Sequence, residues 1–136
     1  MTKARDENSK KAWPVWQGKW ILIVEDEEHN YTYIHEILKR TKVGMIRAES
    51  GSDAIRLFTE NKIDLILMDI KLPDMDGYKT TQEIKKLDPN VPVVAQTAYA
   101  MVQEREKCLQ AGCDDYISKP YDPDKLIGLL GRYINL

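Results

Sequence analysis

Long apolar runs are missing from this chain. No stretch approaches the ~20 residues needed to span a bilayer, and the start, Met1-Thr2-Lys3-Ala4-Arg5-Asp6-Glu7-Asn8, has no apolar segment of the signal-peptide kind. The expectation is a cytoplasmic protein without membrane contact. Cysteine is scarce: Cys108 and Cys113 are the only two. With no histidine near them a zinc site is disfavoured. Cys108 reads as a small apolar helix residue and Cys113 as a loop thiol, and a reducing cytoplasm suits both. Charge of one sign is also missing. The formal net charge is -2, so no global pull toward nucleic acid exists and no direct nucleic-acid contact is expected. Function must come from a local site.

What is present is the material for one core. The chain has 136 residues, 43% hydrophobic and 31% charged, enough for one domain and too little for two. Residues 1–18 stand apart. They are polar, Lys-rich and without helical or strand period, and they read as an N-terminal arm or linker, with 19–136 as the folded unit. Trp13 and Trp16 within that arm either belong to a disordered segment or dock on the domain or a partner, because exposed tryptophan is costly in water.

From Trp20 short apolar runs alternate with amphipathic segments. The runs are Trp20-Ile21-Leu22-Ile23-Val24, Met45-Ile46-Arg47-Ala48, Leu65-Ile66-Leu67-Met68, Val93-Val94-Ala95 and Tyr116-Ile117. Consecutive apolar positions suit strands buried on both faces, as in a parallel sheet. Between and after them lie helical stripes: Tyr31, Ile34 and Leu38, then Ala54, Leu57 and Phe58, and finally Leu126, Leu129, Leu130 and Tyr133. Five strand-then-helix units predict an α/β domain, a parallel sheet covered by helices on both sides.

In such sheets ligands bind beyond the carboxyl ends of the strands. Glu25-Asp26 ends the first strand, Asp69 the third and Thr97 the fourth, and Ser118-Lys119-Pro120 follows the fifth. Three acids, a hydroxyl and a lysine should converge on one edge. Crowded carboxylates repel unless a cation intervenes, and oxygen-only ligands select a hard one, magnesium best. Lys119 can neutralise a phosphate oxygen as a point charge and Thr97 can donate to another. Phosphoryl transfer needs mainly positioning and charge neutralisation, and one carboxylate could then attack phosphorus and become an acyl phosphate. Taken singly, Asp26 could be a helix cap, Asp69 a turn residue, Thr97 a strand residue and Lys119 a solvated lysine. Their joint placement at four strand ends favours the functional reading.

The segments Ile21-Leu22-Ile23-Val24-Glu25-Asp26-Glu27, Leu65-Ile66-Leu67-Met68-Asp69-Ile70-Lys71-Leu72-Pro73-Asp74-Met75-Asp76-Gly77, Gln96-Thr97-Ala98 and Tyr116-Ile117-Ser118-Lys119-Pro120 resemble the receiver domains of response regulators in two-component signal transduction. The resemblance runs from about Trp20 to the C-terminus and leaves out the N-terminal arm. It implies a flavodoxin-like three-layer sandwich, five parallel strands in order 2-1-3-4-5 flanked by five helices. It also implies that Asp69 is the phosphoacceptor, that Glu25, Asp26, Asp69 and the backbone carbonyl of Lys71 hold Mg2+ (Mn2+ as a second fit), and that Thr97 and Lys119 contact the phosphoryl group. Tyr116 takes the place of the aromatic that changes rotamer on activation. The bond before Pro120 is expected to be cis, which would aim the lysine inward. Glu25 stands where many relatives have Asp. Lys71 and Tyr99, two residues beyond Asp69 and Thr97, occupy positions that tune phosphoryl lifetime.

The partners so implied are a histidine kinase or histidine phosphotransfer domain as phosphodonor, docking near Tyr31 and Ile34, although Ile34 could equally face the core. A downstream protein would read the face of the fourth helix, fifth strand and fifth helix, around Met101, Tyr116 and Leu126. The chain ends soon after its last helix, so a protein contact is the expected output, and the unit would be a switch rather than an enzyme, one that assists its own phosphotransfer and dephosphorylation. It could stand alone or form the receiver part of a hybrid histidine kinase.

Rival readings fare worse. A haloacid dehalogenase-like hydrolase needs Asp-x-Asp where Asp69-Ile70-Lys71 stands. A nucleotide-binding module needs glycines where Glu25-Asp26-Glu27-Glu28 follows the first strand. A histidine phosphotransfer protein using His29 or His35 would be a helical bundle, against the strand pattern. A docking domain that had lost its chemistry would not need all of Glu25, Asp26, Asp69, Thr97 and Lys119.

Overall fold

The computed structural model of the chain describes residues 13–98 and 102–135. Tyr99 and Met101, named above, lie outside the described residues. The elements are β1 (Trp20–Val24), α1 (Glu28–Leu38) with a short 3-10 turn (Lys39–Thr41), β2 (Gly44–Ala48), α2 (Gly51–Glu60), β3 (Leu65–Asp69), α3 (Gly77–Leu87), β4 (Val93–Thr97), α4 (Val102–Ala111), β5 (Asp115–Ser118) and α5 (Pro123–Gly131). The strands form one parallel sheet in the order β2-β1-β3-β4-β5, as expected. Among the described residues no helix is long and apolar enough to cross a membrane.

The strand sequences explain the layers. Side chains alternate across a strand, so Ile21 and Ile23 of β1 face one way and Leu22 and Val24 the other. The first pair joins Leu65, Leu67, Val94 and Ile117 in a core under Ile34, Ile37 and Leu38 of α1 and Leu126, Ile127 and Leu130 of α5. The second pair joins Ile66, Met68, Val93 and Ala95 in a core closed by Ala54 of α2, Ile84 of α3 and Cys108 of α4. The strands are apolar at consecutive positions because both faces are covered.

Local chemistry starts and stops the helices. Glu27, Ser50, Asp76 and Asp122 each accept a backbone N–H three residues on and cap α1, α2, α3 and α5. Pro123 occupies the first turn of α5, where its missing N–H costs nothing. Helix α4 ends in a paired-bond turn. Cys113 N–H reaches the Cys108 carbonyl at 2.9 Å and Gly112 N–H reaches Leu109 at 3.1 Å. Gly112 has φ +102 there, which glycine adopts without a Cβ clash. Asp74, in the β3–α3 loop, accepts from Gly51 N–H (2.7 Å), Ser52 N–H (2.9 Å) and the Ser52 hydroxyl (2.7 Å), so it caps α2 from a distance. Those bonds, the Ser52 hydroxyl first, hold its carboxyl well below the usual range.

One expectation needs correction. Leu126 was expected at the recognition face, but it is fully buried in the α1/α5 core and offers no side chain to a partner; Ile34, for which docking and core-facing roles both stood open, is buried in the same core. Trp16 resolves the other way. It is 3% exposed, belongs to the same core, and lies 3.7 Å from where a Cβ on Gly131 would sit. Its backbone N–H donates to the Thr41 carbonyl at 2.7 Å. Trp13 packs against the core edge with the Arg40 guanidinium 5.0 Å from its ring centre. Among the described residues, packing therefore begins at the tryptophans. Trp16→Ala should cost about 3 kcal/mol, in line with deleting a buried aromatic side chain. Urea unfolding of the full chain measures this, and a loss below about 1 kcal/mol would mean that the arm only rests on the domain.

Candidate functional site

Strand parity also builds the site. Glu25 continues the Ile21–Ile23 stripe, Asp69 the Leu65–Leu67 stripe, and Lys119 the stripe of Ile117. All three fall at the carboxyl end of the sheet on the α1/α5 side. There the apolar core gives way to a cleft of about 300 Å³ lined by Glu25, Asp26, Asp69, Lys71, Thr97 and Lys119. The carboxylates of Glu25, Asp26 and Asp69 offer oxygens all within 4.8 Å of one another. Lys119 Nζ lies 3.4 Å from Glu25 Oε1 and 3.5 Å from Asp69 Oδ2. Its backbone N–H is bonded to the Thr97 carbonyl at 2.8 Å, which draws the ends of β4 and β5 together. The Lys119-Pro120 bond is cis, as expected.

Each loop is held. Lys71 N–H donates to Asp69 Oδ1 at 3.3 Å, bringing the Lys71 backbone beside the acid. Gly77 starts α3 so close to β3 that a Cβ there would lie 2.3 Å from the Asp69 carbonyl oxygen, so only glycine fits. Asp26 is exposed and does not cap α1, a task that falls to Glu27. Its side chain is therefore available to the cleft. Thr97 is buried, and Tyr116 is half-buried against the core on the opposite face of the sheet.

The electrostatics are those of crowded like charges. Burial, then the neighbouring Asp69 carboxylate, pushes Glu25 up to about 7, against the pull of Lys119. A buried acid that resists ionisation beside two further acids is a set that a hard divalent cation relieves, and the donors are all oxygen. The residues present thus fit a magnesium ion.

Three contributors escaped the sequence reading. Arg47, near the end of β2, donates from Nε to the Glu25 carbonyl at 3.1 Å and from Nη2 to the Asp26 carbonyl at 3.4 Å. It also pairs with Glu28 at 2.9 Å and lies 4.7 Å from the Tyr31 ring centre. A cation on the strand beside β1 was the available signal. Gln96 and Tyr121, both buried, contact Glu25 directly and in turn.

With this geometry in view, comparison with known proteins decides the class. The family model for the response regulator receiver domain matches residues 21–130. The chain belongs to the response regulator receiver domains. The polar-differentiation response regulator DivK of Brucella anthropi is 37% identical over 118 residues, spanning 85% of this chain and 96% of DivK. The sensor histidine kinase RcsC of Salmonella typhi is 37% identical over 113 residues, 83% of this chain but only 12% of that kinase. Among solved structures, the receiver domain of sensor histidine kinase PA1611 from Pseudomonas aeruginosa is 39% identical with a TM-score of 0.81. That match covers 88% of this receiver and 99% of the other chain, in which a magnesium ion is coordinated in the active-site cleft.

The raised Glu25 value has a consequence for stability without metal. A carboxyl whose pKa is higher folded than unfolded contributes below its unfolded value, near 4.5, and loses that contribution as pH rises toward about 7. In chelator, the urea stability of the wild type should fall more between about pH 5 and about pH 7 than that of Glu25→Gln. Equal pH slopes would show that Glu25 ionises freely.

Proposed function

We propose that this receiver takes a phosphoryl group on Asp69 from a histidine kinase or histidine phosphotransfer domain, and thereby switches its contacts with a downstream protein. The observation that carries this reading is the meeting of three carboxylates within 4.8 Å with a lysine 3.5 Å from Asp69. Asp69 is the nucleophile. One of its carboxylate oxygens attacks phosphorus as the bond from phosphorus to the donor imidazole nitrogen breaks; the electron pair of that bond stays on nitrogen, which takes a proton from solvent, leaving an acyl phosphate and a neutral histidine. Glu25, Asp26, Asp69 and the Lys71 carbonyl would hold the divalent ion, Mg2+ or in its place Mn2+. When bound, that ion supplies charge neutralisation and orientation for the phosphoryl oxygens. Lys119 neutralises one of those oxygens, and the Thr97 hydroxyl donates to another. In this way the domain assists both its own phosphorylation and its dephosphorylation, as a switch does, and it needs no separate substrate turnover.

The new charge draws Thr97 toward Asp69, and Tyr116 turns into the space left behind, biasing a two-state element. The reading surface is that of α4, β5 and α5. With Leu126 buried, its exposed groups between β5 and α5 include Lys125 and Arg132, which line a shallow groove with the half-buried Leu129, Asp115 and Tyr116. Residues 19–136 form the body of the receiver unit, with Trp13 and Trp16 from the preceding segment packed onto it, in a cytoplasmic setting without nucleic-acid or membrane contact. Its likeness to DivK and to part of RcsC supports both a stand-alone regulator and the receiver part of a hybrid kinase.

Incubation with a small phosphodonor and magnesium should add one phosphoryl group by intact mass, and Asp69→Asn should abolish the gain. Unchanged labelling of that variant would remove Asp69 from the role. Lys71, exposed at the cleft rim, shields the acyl phosphate from water. Lys71→Ala should therefore lose its label several-fold faster, timed by mass after the donor is removed, and an unchanged or slower decay contradicts the shielding role.

A further inference from the structure

Gln96 is a buried amide where the stripe of β4 would otherwise continue as core. Val94, two residues earlier, packs in the α1/α5 core, and parity turns Gln96 toward the same side. It is paired in register with Asp69 on the neighbouring strand. Its side chain nevertheless reaches one strand further, and Nε2 donates to Glu25 Oε1 at 3.2 Å. The amide oxygen accepts from the Tyr121 hydroxyl at 3.0 Å. Tyr121, in the loop between β5 and α5, is held in turn by Tyr33 of α1, whose hydroxyl donates to the Tyr121 carbonyl at 2.6 Å.

The order of donors follows from the form that a metal-holding carboxylate takes. Ionised, Glu25 only accepts, so Gln96 presents its NH2 group. Its oxygen then faces Tyr121, which must donate. The rest of the Glu25 carboxylate is held as well, with Oε2 accepting from Glu27 N–H at 3.1 Å and Oε1 meeting Lys119 at 3.4 Å. A glutamate has one more rotatable bond than an aspartate and needs more fixing to serve as a ligand. The longer stem is also what allows the acid to meet Gln96 at all.

Resting on the assignment of this cleft as a magnesium site, we propose that Gln96, oriented by Tyr121, is a positioning residue that fixes the Glu25 carboxylate for the divalent ion. The trio of Glu25, Gln96 and Tyr121 acts as one unit. Partners that orient a metal ligand are typically worth 10–100-fold in affinity.

Calorimetric titration of the full chain with magnesium chloride tests this, alongside melting in chelator. Gln96→Leu, close in volume and apolar, should weaken Mg2+ by about 10-fold. Tyr121→Phe keeps the ring and frees the amide, so it should weaken Mg2+ by a smaller factor in the same direction. Glu25→Asp already withdraws the acid from Gln96. Adding Gln96→Leu to it should therefore change affinity by less than about twofold, the mark of coupled positions. The proposal is overturned if Gln96→Leu binds Mg2+ as the wild type does while its melting in chelator shifts, because Gln96 would then only fill space. It is equally overturned if the two losses multiply in the double variant. A wild type that takes up no magnesium defeats the metal-site assignment itself, and the proposal with it. A wild type that binds, with Gln96→Leu unaffected, defeats the proposal alone.

Discussion

Glu25 and Asp69 are two carboxylates buried side by side at the top of adjacent strands, and much of the molecule manages the cost of keeping them there. Neither could be tolerated alone in the apolar interior that their strands build. Lys119 lies between them, Gln96 and the Glu27 N–H hold Glu25, and the Lys71 N–H holds Asp69. Even so Glu25 is pushed up to about 7. The remaining imbalance suits the cleft to a cation, and a cation seated there would meet an arriving phosphoryl group with charge of the right sign.

The sheet is what makes this crowding persist. Parallel strands covered on both faces bring every strand end to one edge, and alternation selects which side chains stand together. Glu25, Asp69, Gln96 and Lys119 share one side of the sheet for the same reason that Ile23, Leu67, Val94 and Ile117 do. The polar set is the last row of an otherwise apolar stripe. Loops are then tied to fixed elements. Asp74 joins the β3–α3 loop to α2, Gly77 brings α3 against Asp69, and Arg47 braces the turn after β1 from the neighbouring strand. Rigidity at the edge is needed because a cation and a phosphoryl group tolerate little misplacement.

Where the sequence reading fell short, the errors share a cause. Leu126 was placed on a recognition surface, and Ile34 was left open between docking and core, because each lies in a segment that the family uses for contacts. Which side of a helix meets the sheet depends on its roll, and that is settled by packing. Trp16 belonged to a segment without period, and an aperiodic segment gives no sign of whether it docks. Its burial depends on the space between the 3-10 turn after α1 and the end of α5, two regions far apart along the chain. Gln96 was passed over as part of a strand, although a polar residue at the parity of Val94 was a readable sign.

Order and spacing of the apolar runs, by themselves, determined the α/β class, the five strands, and the delivery of Glu25, Asp26, Asp69, Thr97 and Lys119 to one edge. That much follows from local periodicity and from the geometry of parallel sheets. Tertiary structure alone decided that Glu25 is gripped by Gln96 and Tyr121, that Arg47 braces the acidic turn, and that Trp16 completes the core. These contacts join residues distant in sequence through the reach of individual side chains, and no local pattern encodes that reach.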